Sequence, residues 1–208
     1  PELAELGLRR GKRALAKAAN RKTNLDAARS VNARIGYDAA NIRDIIRETD
    51  LASGTFYNYF KSKEEVFEAL TADSIERFRP LLQTVRDAAD GLEAYLLAAY
   101  LAYFQFLADE NNEALKLGSP HMTLIGVRVD TPEMQAVSDE IRSDLEVVLM
   151  NTGHGHIDID FLTAAAIGIA REMGDLMLKR TPVDPHHAAK FATRLVLQGI
   201  EGLTESRS

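Results

Sequence analysis

The sequence predicts an all-α protein of about nine helices, with an N-terminal helix-turn-helix unit followed by a larger helical body. Three observations carry this reading. Apolar residues recur at three- and four-residue spacing along nearly the whole chain, the period of an amphipathic helix. Glycine and proline interrupt that period at Gly36, Gly54, Pro80, Gly91, Gly118/Pro120, Pro132, Gly153/Gly155 and Pro182/Pro185. Of the 208 residues, 46% are hydrophobic and 27% charged, enough apolar surface for a sizeable core and too much for general disorder.

Taken in order, the periodicity places helices over 13–35, 41–48, 53–59, 63–79, 91–109, 111–117, 132–151, 158–180 and 184–204. The helix over 63–79 is expected to end at Pro80, which lacks the amide a continuing helix needs. Only Met122–Val129 and Ile157–Ile159 read as strand-like, and both are short. A change of role falls near Ser62, dividing residues 1–63 from residues 64–208.

Charge divides the chain at the same place. Residues 1–63 hold 13 basic and 7 acidic side chains, a net of +6. Residues 64–208 hold the remaining 12 basic and 24 acidic ones, a net of −12. A cationic third on an anionic body points to a polyanion partner for that third alone. Arg9, Arg10, Lys12, Arg13, Lys17, Arg21 and Lys22 run without an intervening acid. This stretch reads either as an arm for the minor groove and flanking phosphates or as a solvated tail.

Residues 36–65 carry the sharpest pattern. Asn41 can cap a two-turn helix whose Ile42, Ile45 and Ile46 share a face. Thr49–Ala52 then makes a tight turn, and Ser53-Gly54-Thr55-Phe56-Tyr57-Asn58-Tyr59-Phe60 makes a second helix. Phe56 and Phe60, four apart, anchor this helix on the core and leave Ser53, Thr55, Tyr57, Asn58 and Tyr59 to point elsewhere. Gly54 weakens the helix but permits close approach of a nucleic-acid backbone. Ser62 and Glu65 form a capping box for the next helix, and Lys61 and Lys63 stand where phosphates would lie. Helix, short turn and helix is an arrangement whose second member can enter a major groove about 12 Å wide.

These residues, from Gly36-Tyr37-Asp38-Ala39 through Ile42-Arg43-Asp44-Ile45 to Ser53–Glu65, resemble the DNA-binding domain of tetracycline-repressor (TetR) type transcriptional regulators over about residues 24–70. The resemblance implies a homodimer on a palindromic double-stranded operator. It also implies a C-terminal domain that often binds a small molecule and releases DNA. It assigns phosphate contacts to Asn41, Tyr57, Tyr59 and Lys63, groove-facing positions to Ser53, Thr55 and Asn58, and a phosphate or base edge to Arg43. With Gly54 and Lys61 these form the expected DNA-binding set. Three residues depart from the family's pattern: Asn32 stands where an apolar residue is usual, Ala52 where Ser caps the recognition helix, and Asp50 where Gly is usual.

In the body, Tyr95, Tyr100, Tyr103, Phe104 and Phe106 cannot share one stripe, so their helix is apolar on most sides and belongs inside a bundle. Those rings read either as plain core or as part of a ligand cavity. For a cavity the candidates are Tyr100, Tyr103, Phe104, His121, Met122, Met134, Met150, Glu172, Met173 and Met177, with methionine supplying an adaptable apolar wall. Ala164, Ala165, Gly168, Ala170 and Gly174, with Ala188, Ala189, Ala192 and Gly199, suggest close helix approach. They predict a homodimer through the last two helices.

The chain has no cysteine, which removes thiolate chemistry and disulfides. His154-Gly155-His156 with Asp158 and Asp160 invites a metal, but no third histidine stands at ligand spacing, and Asp158 or Asp160 reads better as a helix cap. No nucleophile elbow, phosphate loop, dinucleotide fingerprint or zinc-helix motif occurs. No membrane span, metal, cofactor or catalysis is expected, and a cytoplasmic location is. The function expected is a DNA-binding repressor released by a small hydrophobic effector. The alternatives are an effector-independent DNA-binding adaptor whose body binds protein, and a small helical enzyme. A filled core around Tyr100, Phe104 and Met177 would favour the adaptor, and a cavity of several hundred Å³ the effector.

Overall fold

A computed structural model describes residues 2–116 and 131–205. Nine helices occupy the described residues: α1 (Glu2–Ala39), α2 (Ile42–Glu48), α3 (Ser53–Tyr57), α4 (Lys63–Ala88), α5 (Leu92–Glu110), α6 (Asn112–Lys116), α7 (Pro132–Asn151), α8 (Ile159–Leu178) and α9 (Pro185–Glu205). None of them is long and apolar enough to cross a membrane. The strand-like run Met122–Val129 lies outside the described residues. Ile157 closes a turn through its amide to the His154 carbonyl, and Ile159 opens α8 rather than a strand.

Two apolar cores are built on one shared helix. The first joins Leu25, Ala28 and Val31 of α1 to Ile45, Phe56, Phe60 and the start of α4 at Val66, Phe67 and Leu70. The second joins the rest of α4 (Ile75, Phe78, Leu82) to α5, α7, α8 and α9. Phe56, Ile45, Leu70 and Phe104 are completely buried, each worth about 1.5–3 kcal/mol against exposure. Asn32 is buried in the first unit, as is Asn24, although both are polar.

Helix α4 runs nine residues past the stop expected at Pro80. Interior proline costs a helix about 3 kcal/mol. Here the apolar face continues beyond it, with Leu82 buried after Ile75 and Phe78, and tertiary burial outweighs the local cost. Likewise α1 starts at Glu2 rather than near residue 13, so the basic stretch is helical and not an extended arm. Its far end is broken by Gly36, whose φ of 78° is a conformation other residues resist. That break turns the chain toward α2. Arg34 and Ser30 of α1 then hold Glu48 of α2 at 3.1 and 2.9 Å.

Helix α5 lies at the centre of the body, in contact with α4, α6, α7, α8 and α9. Its Tyr95 hydroxyl donates to buried Asp144 of α7 at 3.2 Å, and Arg86 of α4 reaches the same carboxylate at 2.5 Å. Gly174 of α8 allows α5 to approach closely: a Cβ there would stand 2.5 Å from Leu107 Cδ1. The small residues of the last two helices divide: Ala164, Ala165 and Gly199 are exposed, and four others serve packing inside the chain. Ala188, Ala189, Ala192 and Gly174 are buried within one chain, because close packing around α5 needs them there.

Asp144→Ala should lower the urea-unfolding free energy by about 2–3 kcal/mol, since it strands the buried Tyr95 hydroxyl and the Arg86 charge. Hydrogen bonds from Ser30 and Arg34 hold the Glu48 carboxyl below its ordinary pKa. A lowered carboxyl pKa stabilises the fold above the unfolded value near ~4.3 and loses that contribution as pH falls through the folded one. Glu48→Gln should therefore cost about 0.5–1 kcal/mol at pH 7, the range of partly exposed ion pairs. The gap from wild type should close as unfolding is measured below about pH 4.

Candidate functional site

The helix-turn-helix is fixed from its capping bonds upward. Asn41 Oδ1 accepts the Asp44 amide at 3.2 Å, while Asp44 Oδ2 accepts the Asn41 amide at 3.1 Å. This reciprocal pair starts α2. Ile45 is completely buried beneath it, and Thr49 ends the helix by donating its hydroxyl to the Ile46 carbonyl at 2.9 Å.

Helix α3 is shorter than the helix expected over 53–59, spanning Ser53–Tyr57 with Asn58 at its C-cap. Ala52 stands at the N-cap without a side-chain bond, which withholds the stability a Ser would contribute and limits the helix. One further turn is kept by the Phe60 amide on the Phe56 carbonyl at 3.1 Å. Phe56 and Phe60 are buried, with ring centroids 5.9 Å apart, and together they prop α3 away from the core.

The outer side of this prop is polar. Ser53, Gly54, Tyr57, Asn58 and Lys61 are exposed, and Thr55 and Tyr59 are half-buried. Asn41 and Arg43 are also exposed on the neighbouring α2. A Cβ on Gly54 would meet nothing within 4 Å, so the surface there is open to a close neighbour. Tyr57 is 52% exposed despite its ring, which touches Phe56 edge-on.

Helix α4 begins beside this surface. Ser62 Oγ accepts the Glu65 amide at 3.2 Å, and the Glu65 carboxylate reaches back to the Lys61 amide at 2.7 Å. The expected capping box is thereby displaced by one residue on its return arm. Lys63 is half-buried, donating to the Tyr37 carbonyl at 2.9 Å with its Nζ 4.3 Å above the Tyr37 ring. Neither partner carries an opposite charge.

A second feature lies in the body, a cavity of about 620 Å³ between α4, α5, α7 and α8. Of the ten residues expected around a cavity, Tyr100, Tyr103, Met134 and Glu172 line it. His121 and Met122 lie outside the described residues. Phe104 is packed in the core beside Tyr100, 6.0 Å between stacked rings. Met150 is exposed near Gly155, and Met173 and Met177 face a separate recess toward Pro182 and Phe191. Position along the helix separates the two methionines of α8 from the cavity: Met173 and Met177 share the side of Ala166 and Ala170 but stand nearer its C-terminal end, beside the recess.

The sequence reading missed Ile75, Phe78 and Leu82 of α4, and Gln135, Ser138 and Ile141 of α7. The first set was legible as an apolar face at three- and four-residue spacing, whereas polar Gln135 and Ser138 gave no such signal. The first was cut short by ending the helix at Pro80. Arg171 adds a cation to the lining beside Glu172. Burial pushes the pKa of the Tyr95, Tyr100 and Tyr103 phenols upward, so they remain neutral, and the Tyr100 hydroxyl donates a hydrogen bond to the Ala166 carbonyl at 3.2 Å.

Two further sequence features are placed by the structure. Asp158 caps α8, accepting the amides of Asp160 and Phe161 at 3.0 and 3.1 Å. No group of three histidine, aspartate or glutamate side chains among the described residues is placed to hold a metal. Phe161 and Leu176 of α8 and Phe191, Leu195 and Leu203 of α9 are 49–78% exposed. The exposed surface of the last two helices thus combines these large residues with Ala164, Ala165 and Gly199.

Residues 25–70 match the family model of bacterial regulatory proteins of the tetR family. Over 195 residues the chain is 26% identical to the uncharacterized HTH-type transcriptional regulator YdgC of Bacillus subtilis, covering 87% of this chain and 92% of that one. An HTH-type transcriptional repressor of Mycobacterium tuberculosis is 32% identical over 100 residues, 48% of this chain and 52% of its own length. The fold is similar to that of the transcriptional regulator FadR from Bacillus subtilis in complex with stearoyl-CoA. The TM-score is 0.69 at 17% identity, covering 86% of this chain and 98% of the other. A buried two-phenylalanine prop under a polar helix, the match over 25–70 and the all-helical body lead to one assignment: the chain carries the helix-turn-helix domain of the tetR family of bacterial regulatory proteins and is similar over most of its length to an HTH-type transcriptional regulator.

Proposed function

We propose that the chain is a cytoplasmic repressor without catalytic activity, and that it binds a palindromic operator as a homodimer and leaves it when a small hydrophobic effector enters the body. The cavity of about 620 Å³ is the observation that carries the effector half. Its size falls in the range of small-molecule sites, and its walls are mostly apolar with a few polar groups. The filled alternative, an effector-independent adaptor, calls for a closed core around Tyr100. Here Phe104 and Met177 are packed, yet open space lies on the other side of Tyr100.

Exposed Asn58 and Arg43 suit base edges, and Tyr57 and Lys61 suit phosphates. A helix as short as α3 reads few base pairs, so two copies with recognition helices about 34–36 Å apart are needed for a selective site. Phe161, Leu176, Phe191, Leu195 and Leu203 supply the apolar surface such a pairing would bury. A ligand among α4, α5, α7 and α8 would favour whichever packing of those helices suits it, and only one spacing suits the operator. Long-chain acyl-CoA is the first class to try, given the stearoyl-CoA held by a regulator of similar fold. The Arg171 cation by the lining is suited to an acidic head group.

Two measurements test this. On a duplex selected from random DNA, Tyr57→Ala should weaken binding to all sequences, while Asn58→Ala should relax preference at one or two positions by about 1–3 kcal/mol each. Unchanged affinity and preference in both variants would overturn the interface. Stearoyl-CoA or free stearate should lower operator occupancy in wild type, and Ala99→Phe, which fills the cavity, should blunt the response. A panel of acyl and aromatic hydrophobes without any effect would overturn the effector half and leave the DNA half standing.

A further inference from the structure

Helix α1 enters the DNA-binding unit only after residue 20 among the residues whose side chains are described. Residues 11–19 are exposed throughout, and the first residues of α1 to enter the core are Asn24 and Leu25. This overhang also precedes the family match, which begins at residue 25. No acidic residue occurs between Glu5 and Asp26. Arg13, Lys17 and Arg21 recur every four residues, so they form one stripe with charges about 6 Å apart along the axis. Lys12 and Lys22 lie about 140° around the helix from Lys17, and Lys22 is paired with Asp26 at 2.6 Å.

The inner end of the stripe touches the DNA-reading unit. Arg21 places its guanidinium carbon 5.7 Å from the centre of the Phe60 ring, directly after α3 and next to exposed Lys61. Like charges at four-residue spacing destabilise a helix, by about 0.2–0.5 kcal/mol for each pair. A solitary helix of this length is marginal in water. The stripe therefore has the character of a surface completed by an anion, and the body, at net −12 over residues 64–208, offers the opposite of a competing site for DNA.

We infer that the Arg13–Lys17–Arg21 stripe is a second nucleic-acid surface, a preformed helix that lies along the phosphates flanking the half-site read by α3. It rests on the DNA-binding reading above. It lengthens the footprint beyond the operator core and adds affinity without sequence preference.

The test uses the full chain and a duplex selected by wild type, either as the minimal core or extended by about one helical turn on each side. Arg13→Ala/Lys17→Ala should abolish the gain in affinity that extension gives wild type. It should also make the salt dependence on the extended duplex shallower by about 2 per protomer. Lys12→Ala/Lys22→Ala removes the same charge from the other side of the helix and should retain the gain. Amide exchange over residues 11–22 should slow when the extended duplex binds and not when the core binds. Equal losses in both double variants, or the same deficit on core and extended duplexes, would overturn the stripe. If wild type selects no sequence at all, the operator reading fails instead, and comparing the two double variants on a mixed-sequence duplex still decides the stripe.

Discussion

Helix α4 belongs to two cores at once. Its first two turns bury Val66, Phe67 and Leu70 with the helix-turn-helix, and its later turns bury Ile75, Phe78 and Leu82 with the body. No flexible linker separates the DNA-reading unit from the cavity, because one continuous hydrogen-bonded rod carries side chains into both. The same rod starts at Ser62, beside Lys61 and Lys63, and contributes three residues to the cavity lining. Any rearrangement of the body that tilts α4 must move the start of α4 as well. Packed interiors transmit such displacements rather than absorb them.

The contacts around α4 fix its place at both ends. In the first unit, Arg29 of α1 meets Asp73 at 2.9 Å. In the second, Arg86 meets Asp144, and Arg79 pairs with Glu140 of α7. Arg77 pairs with Glu110 at the end of α5, its second nitrogen 2.7 Å from the carboxylate. Partly exposed pairs of this kind contribute little stability each, yet they define orientation because they require particular helix phases. The cavity lies between the same helices these pairs hold together. The cavity is therefore part of a packing arrangement rather than inert space.

Burial divides the first unit as cleanly as it joins the body. Phe56 and Phe60 point inward and hold α3, while Tyr57 and Asn58 between them are left in solvent. An aromatic ring 52% exposed on a helix of only five residues gains little from the fold itself. The basic overhang of α1 repeats that theme with charge in place of aromatic surface.

The sequence by itself determined the helical class, the positions of α2 and α3, the capping by Asn41 and Ser62, and the inward phase of Phe56 and Phe60. Each depends on residues within about four positions of one another, and such spacings are set by helix geometry. Tertiary structure alone decided the rest. The 3 kcal/mol scale of an interior proline is overridden at Pro80 by burial against distant helices, which no local pattern records. Small residues on α8 and α9 signal close approach but not to what; the structure turns Gly174 toward α5, buries Ala192 and leaves Phe191 and Leu195 outside. Cavity walls come from four helices separated by up to a hundred residues. A void is the volume those helices fail to fill together, and that depends on their relative placement rather than on any one segment.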